Sequence, residues 1–178
     1  MIKLKDILFE NTVKKLRIFD FDDTLVKSNS RVKLIDKNGK EKWLTPGEYA
    51  IYQKQPGDEF DYSEFKQVIE PEEIKALTKV LRNFYHAGGD RRITILTARG
   101  VTEPIQDFLK TIGIQNVEIV AVDSSDPKKK SDWIEDKISQ GYNDIFFIDD
   151  SHKNVEAVQK LKSQYPDVKW EIRLAKYS

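Results

Sequence analysis

Three short apolar runs, far apart in the chain, each break off on small polar or acidic residues. Leu16-Arg17-Ile18-Phe19 leads into Asp20-Phe21-Asp22-Asp23-Thr24, and Ile93-Thr94-Ile95-Leu96 leads into Thr97-Ala98-Arg99-Gly100. Ile145-Phe146-Phe147-Ile148 leads into Asp149-Asp150. Runs of this length, rich in branched and aromatic residues, read as strands. Helical patterns stand between them. Strands alternating with helices imply a parallel sheet with right-handed crossovers. In an open parallel sheet, ligands bind in the crevice at the carboxyl ends of the strands. The acids and hydroxyls of this chain fall at those ends.

The remaining pattern fills in the units. Lys15 to Phe19 reads as the first strand. Arg31 to Ile35 and Lys40 to Leu44 flank Asn38-Gly39, a strong hairpin signal. Thr45 is placed to cap a helix that begins at Pro46. Pro71 to Ala87 reads as a long helix, with Ile74, Leu77, Val80, Leu81 and Phe84 at three- and four-residue steps. Ile105, Phe108 and Leu109 mark a helix that Gly113 ends, and Val117 to Val122 is a further strand. Trp133, Ile134 and Ile138 mark the next helix. Val155, Val158 and Leu161 mark the one after, and Val168 to Leu174 alternates as a last strand.

At 178 residues the chain fits one domain, 1–178, and its nine Phe, seven Tyr and three Trp can build a core. Lys plus Arg equal Asp plus Glu at 30 each, so no global field favours nucleic acid. There is no Cys, which removes disulfide and thiolate chemistry and is compatible with a reducing, cytoplasmic setting. No apolar run approaches the roughly 20 residues that span a bilayer, so no membrane partner is expected.

The chemistry lies in the acids. Asp20 and Asp22, one residue apart, repel unless a cation sits between them. A hard dication such as Mg²⁺, which takes oxygen ligands, answers that need. Asp149 and Asp150 bring a second acid pair, Thr97 a hydroxyl, and Lys128-Lys129-Lys130 a cation. Gathered at one sheet edge, these groups make a site for a metal ion and a phosphate. Helix capping by Asp150 or Ser151 is an alternative use of that end of the chain.

The order Asp-x-Asp-x-Thr, apolar-Thr, Lys, apolar-Asp-Asp resembles the haloacid dehalogenase (HAD) superfamily of phosphohydrolases, with all four signature segments in sequence between residues 16 and 150. The resemblance implies a three-layer Rossmann-like α/β fold around a central parallel sheet, with a small cap insert over 26–70. It implies that Asp20 is the nucleophile and Asp22 the general acid and base. Asp20, the backbone carbonyl of Asp22, Asp149 and, through water or the lysine, Asp150 would hold Mg²⁺. Thr97 and the backbone near Ala98 would hold phosphate oxygens. Any of three lysines would balance the charge. Lys130, three and four residues before Trp133 and Ile134, is positioned to start the apolar-faced helix. Thr24 would bond local backbone.

Other residues keep two readings. Arg99 is a substrate contact or a surface salt bridge. His86 and His152 have no partner at metal-ligand spacing and read as structural. Trp43, Tyr49 and Tyr52 pack within the insert or rim the site. A small cap leaves the site open, and by resemblance open sites serve macromolecular or terminal phosphates such as nucleic-acid ends, with nucleotides the other alternative; the neutral charge argues against a long polynucleotide footprint. The expected partner is therefore a phosphorylated small molecule or a nucleic-acid end, and the oligomeric state is not given by the sequence. The competing readings are a receiver-like signalling domain or a non-catalytic phosphate-binding protein. In a receiver the lysine comes last, whereas here it precedes the second acid pair. Residues 1–10 form a short amphipathic segment, read as a docking helix. They also resemble the removable capsid-targeting leaders of tailed phages, cleaved after Leu-x-Glu, here Leu8-Phe9-Glu10.

Overall fold

The computed structural model describes residues 12–176, and in it the first apolar run is the central strand of a five-stranded sheet. In chain order the elements are β1 (Lys15–Phe19), β2 (Val26–Lys27), β3 (Val32–Ile35), β4 (Glu41–Leu44), α1 (Pro46–Ile51) and β5 (Glu59–Asp61). A 3-10 turn (Ser63–Lys66), β6 (Glu72–Glu73), α2 (Lys75–Ala87), β7 (Arg91–Thr97), α3 (Glu103–Thr111) and β8 (Glu118–Ala121) follow. The chain ends with α4 (Pro127–Ser139), β9 (Asp144–Asp149), α5 (His152–Gln164) and β10 (Lys169–Leu174).

The main sheet has the order β10-β9-β1-β7-β8, and every neighbouring pair is parallel. Side chains alternate across it. Leu16 and Ile18 pack with Ile134 of α4 and with Val158 and Leu161 of α5. Phe19 packs on the other face, with Leu81 of α2 and Ile105, Phe108 and Leu109 of α3. Helices thus cover both faces, which explains why the central strands are apolar on both sides. Each such side chain contributes about 1.5–3 kcal/mol when fully buried. This is the expected Rossmann-like α/β layering. Register then sets the level of the strand ends: Phe19 stands opposite Ile95 on one side and Ile148 on the other. Asp20 and Asp149 therefore leave the sheet side by side.

Between β1 and α2 a second, three-stranded antiparallel sheet, β4-β3-β5, forms around its own small core of Val32, Leu34, Leu44, Tyr49 and Phe65. The β3–β4 hairpin turns where expected, with Gly39 at φ 77, a conformation glycine adopts at no steric cost. Thr45 caps α1 in a reciprocal box with Glu48. The third strand, β5, was not legible in the sequence: three residues in a Pro-Gly-Asp turn region carry no periodicity.

One boundary moves. The helix expected from Pro71 begins at Lys75. Glu72 and Glu73 instead pair antiparallel with Val26 and Lys27, and the Ile74 N–H donates to the Leu25 carbonyl at 2.9 Å. Pairing to a distant strand takes over backbone groups that a first helical turn would leave open. The helix or leader expected over residues 1–10 lies outside the described residues. Among the described residues no helix is long and apolar enough to cross a membrane.

Candidate active site

Asp20 is the first residue after β1, and its N–H donates to the Ile148 carbonyl at 3.0 Å. The chain then curls tightly. The N–H groups of Thr24, Leu25 and Val26 all converge on the Phe21 carbonyl, and Asp23 takes a left-handed φ of 57. This curl buries Asp20 and Thr24. Thr24 was expected to bond backbone. Its Oγ1 instead donates to Asp20 Oδ2 at 3.0 Å.

The three lysines separate cleanly. Asp126 caps α4 by accepting from the Lys128 N–H at 2.9 Å, with Pro127 in the first turn. The buried positions of the helix are Lys130, Ile134 and Lys137, one face at four- and three-residue steps. Lys130 therefore points inward, and its Nζ donates to Asp20 Oδ1 and Asp149 Oδ2, both at 2.7 Å. Lys128 lies outside and pairs with Asp132 at 2.7 Å, and Lys129 is exposed.

Asp149 ends β9. Its Oδ1 accepts from the Ser151 N–H at 2.9 Å and its Oδ2 from the Asn154 amide at 3.0 Å. Of the two residues that might have capped α5, Ser151 does so, leaving Asp150 half-buried and directed to the cluster. Asp20, Asp149 and Asp150 each offer an oxygen, and these atoms lie within 4.8 Å of one another.

The electrostatics follow. Burial pushes the Asp20 carboxyl well up from its ordinary value. Lys130 opposes this, and Asp149 and Asp150 add to it. Burial, then the charges of Asp149 and Asp23, push Asp150 up to about 7. Burial alone would depress the Lys130 amine, but Asp149 and Asp20 more than reverse that and hold it charged. Three carboxylates face one ammonium, so the site carries surplus negative charge. A set of oxygen donors with surplus charge could hold a hard metal cation.

Asp22 goes elsewhere. Its two oxygens accept from Arg99 Nε and Nη2, each at 2.7 Å. Arg99 is not a surface ion pair: it is 1% exposed, and it borders the cavity next to the acids. Its Nη1 donates to the carbonyls of Phe65 at 3.1 Å and Gln67 at 2.6 Å, and its Nη2 reaches Ser28 Oγ at 3.4 Å. All five guanidinium N–H donors are committed. The Asp22 carboxylate is thus outside the three-acid cluster. Thr97 is buried, and its Oγ1 accepts from the Arg99 N–H at 3.1 Å. Ala98 reaches the cavity wall, while Thr97 does not.

Above the acids lies a cavity of about 40 Å³, bounded by Asp20, Asp22, Lys130, Asp149 and Asp150 below and by Pro46, Tyr49 and Ala50 of α1 above. That is space for a small cluster of waters. Of Trp43, Tyr49 and Tyr52, Tyr49 is the one that reaches it. Tyr52 stays within the insert, donating to Asp58 at 2.7 Å, and Trp43 lies on the hairpin under Arg31, 5.0 Å from its ring centre. His86 and His152 take no part in the site. Phe65 and Asn154 also line it and were not anticipated. Phe65 sits in the irregular stretch after β5. Asn154 lies three residues after the α5 cap, a spacing that only the register of β9 makes meaningful.

No family model matches the chain, and comparisons with curated proteins and with solved structures give no match.

Proposed function

We propose that the chain is a Mg²⁺-dependent phosphomonoester hydrolase of HAD type that works through an aspartyl-phosphate. The observation that carries this reading is the convergence of Asp20, Asp149, Asp150 and Lys130 from three separate segments onto one cavity at the carboxyl edge of the sheet. Asp20, Asp149 and Asp150 would hold the cation, with the Asp22 backbone carbonyl as a further oxygen. The cation would supply charge neutralisation for the phosphoryl oxygens.

This chain's residues then have distinct tasks. Asp20 attacks phosphorus, forming an O–P bond as the ester P–O bond breaks, and Lys130 and Thr24 hold its carboxylate in place. Asp22 gives a proton to the leaving oxygen and later takes one from the water that attacks the aspartyl-phosphate, releasing inorganic phosphate and restoring Asp20. In the described geometry each Asp22 oxygen accepts one bond from Arg99, and the proton would be exchanged on a lone pair that Arg99 leaves open. The Ala98 backbone would face the transferring group.

The test is release of p-nitrophenol from p-nitrophenyl phosphate with and without Mg²⁺, for the parent protein and for Asp20→Asn. Expected is Mg²⁺-dependent turnover that the substitution abolishes while the unfolding transition survives. Near-normal turnover in Asp20→Asn removes the nucleophile. No Mg²⁺-dependent release by the parent at any pH supports the non-catalytic or receiver-like alternative.

A further inference from the structure

Beside the carboxylate cavity lies a second one, of about 250 Å³, for which the phosphoryl chemistry has no use. The two share Tyr49, Phe65 and Ala98 as a common wall. It is the adjoining space for whatever is esterified to a phosphate held at Asp20.

Its walls select one kind of group. Tyr49 stands edge-to-face with Tyr62, centroids 5.7 Å apart at 77°, and with Phe65, 6.2 Å apart at 89°. The Arg99 guanidinium covers Phe65, 4.7 Å from its ring centre. Tyr62, 39% exposed, is the ring left with open area. The hydroxyls of Tyr49 and Tyr62 bond each other at 3.0 Å, which fixes both rings. Burial and that bond push the Tyr62 phenol well above its ordinary value, so the ring stays neutral.

Opposite stands Asp123. It is held in a left-handed conformation at φ 51, a strained choice for a residue other than glycine. Its N–H donates to the Arg99 carbonyl at 3.2 Å. A Cβ on Gly100 would collide with its carboxylate, so the glycine is what admits the acid this close. That carboxylate is exposed, so water or a ligand can reach it. The left-handed turn and the small Gly100 bring a solvent-accessible acceptor to the wall of this aromatic cavity.

We infer that this cavity is the leaving-group subsite for a nucleobase, and that the substrate is a nucleoside monophosphate unit. This rests on the phosphatase reading above. A flat ring stacks on Tyr62, and its N–H edge takes the place of water on the exposed Asp123 carboxylate. Sugar phosphates offer no π face, and aliphatic esters offer neither ring nor N–H. The volume is below the roughly 300–1,000 Å³ of sites for larger organic ligands, so it admits one ring system. In the reaction, water and the monophosphate give nucleoside and inorganic phosphate, and the ester oxygen leaves with the proton from Asp22.

The experiment has a catalytic and a binding arm. In the first, kcat/KM is compared for nucleoside monophosphates, 5′- and 3′-phosphorylated oligonucleotides, ribose 5-phosphate and β-glycerophosphate. In the second, unphosphorylated nucleosides are titrated by calorimetry. Expected is a preference of tenfold or more for one of the base-bearing classes, and measurable nucleoside binding. Tyr62→Ala should lower the ratio of base-bearing to ring-free substrate by about tenfold to a hundredfold, the span of one lost base–aromatic stack. Asp123→Asn should change the ranking among bases. Whichever base-bearing class is preferred, free nucleotide or strand end, supports the subsite and fixes the source. Turnover of β-glycerophosphate or ribose 5-phosphate equal to that of every base-bearing class overturns it, as does nucleoside binding that Tyr62→Ala leaves intact. Absence of turnover on all substrates removes the phosphatase reading instead, and nucleoside binding still decides whether the cavity takes a base.

Discussion

Lys130 donates to two buried carboxylates at once, and its own charge is held by them. Its removal leaves Asp20 and Asp149 facing each other without a cation. Lys130→Met is expected to destabilise the metal-free protein by about 3–5 kcal/mol near neutral pH, the usual cost of stranding a buried charge. Urea unfolding measures it. The loss should shrink as pH falls, because burial already raises the Asp20 carboxyl and its protonation relieves the repulsion. Arg99 makes a parallel case. Arg99→Met strands Asp22 and two insert carbonyls, whereas adding Asp22→Asn should return part of the loss, a coupling that a double-mutant cycle reads directly. Full additivity of the two changes would mean the fork carries no stability. The sequence showed Asp20, Asp149 and Asp150 because strand ends are local features. It narrowed the lysine only to a run of three, and the shared face with Ile134 decided among them. The Arg99 fork was hidden because its partners lie 77, 34 and 32 residues away.

The α2 start shows how an element is set from outside. Glu73, in the two-residue β6, accepts from Thr78 Oγ1 and pairs with Arg82 at 2.7 Å. The Thr78 hydroxyl first, and Arg82 after it, hold the Glu73 carboxyl below its ordinary value, against some burial. A depressed acid stabilises the fold above its unfolded value and loses that contribution as pH falls through the folded value. The stability gap between parent and Glu73→Gln should therefore be largest at neutral pH and close below about pH 4.5, its unfolded value. A gap that does not change with pH contradicts this. In α1, Thr45→Ala removes the hydroxyl that accepts from the Glu48 N–H, while the backbone N–H at 45 keeps its bond to Glu48, and should cost about 1 kcal/mol, measured by thermal unfolding. Periodicity located α2 but not its first turn, since pairing with Val26 and Lys27 leaves no mark on local spacing. The Thr45 cap was legible because a cap is made by residues three apart.

Over the whole molecule the acids at the sheet edge act together. Asp20 is raised and Asp150 stands at about 7, so the folded state holds more protons than the unfolded one as pH climbs from ordinary carboxylate values to neutral. Stability of the metal-free protein should fall across that window. A divalent cation competes with those protons and binds only the assembled site, so the rise in Tm on adding Mg²⁺ should be larger at pH 8 than at pH 5.5. No rise at pH 8 would count against a cation site. The main sheet was readable at this scale because its inner strands β9, β1 and β7 are apolar enough to be covered on both faces, and the strands alternate with amphipathic helices. The attachment of the insert was not, for it runs through Arg99 to the carbonyls of Phe65 and Gln67. One guanidinium thereby serves as an interlock. Lifting the 65–67 stretch away from the strand ends and releasing the Asp22 carboxylate draw on bonds from the same planar group. Access to the strand ends and freedom of the Asp22 side chain are mechanically ganged.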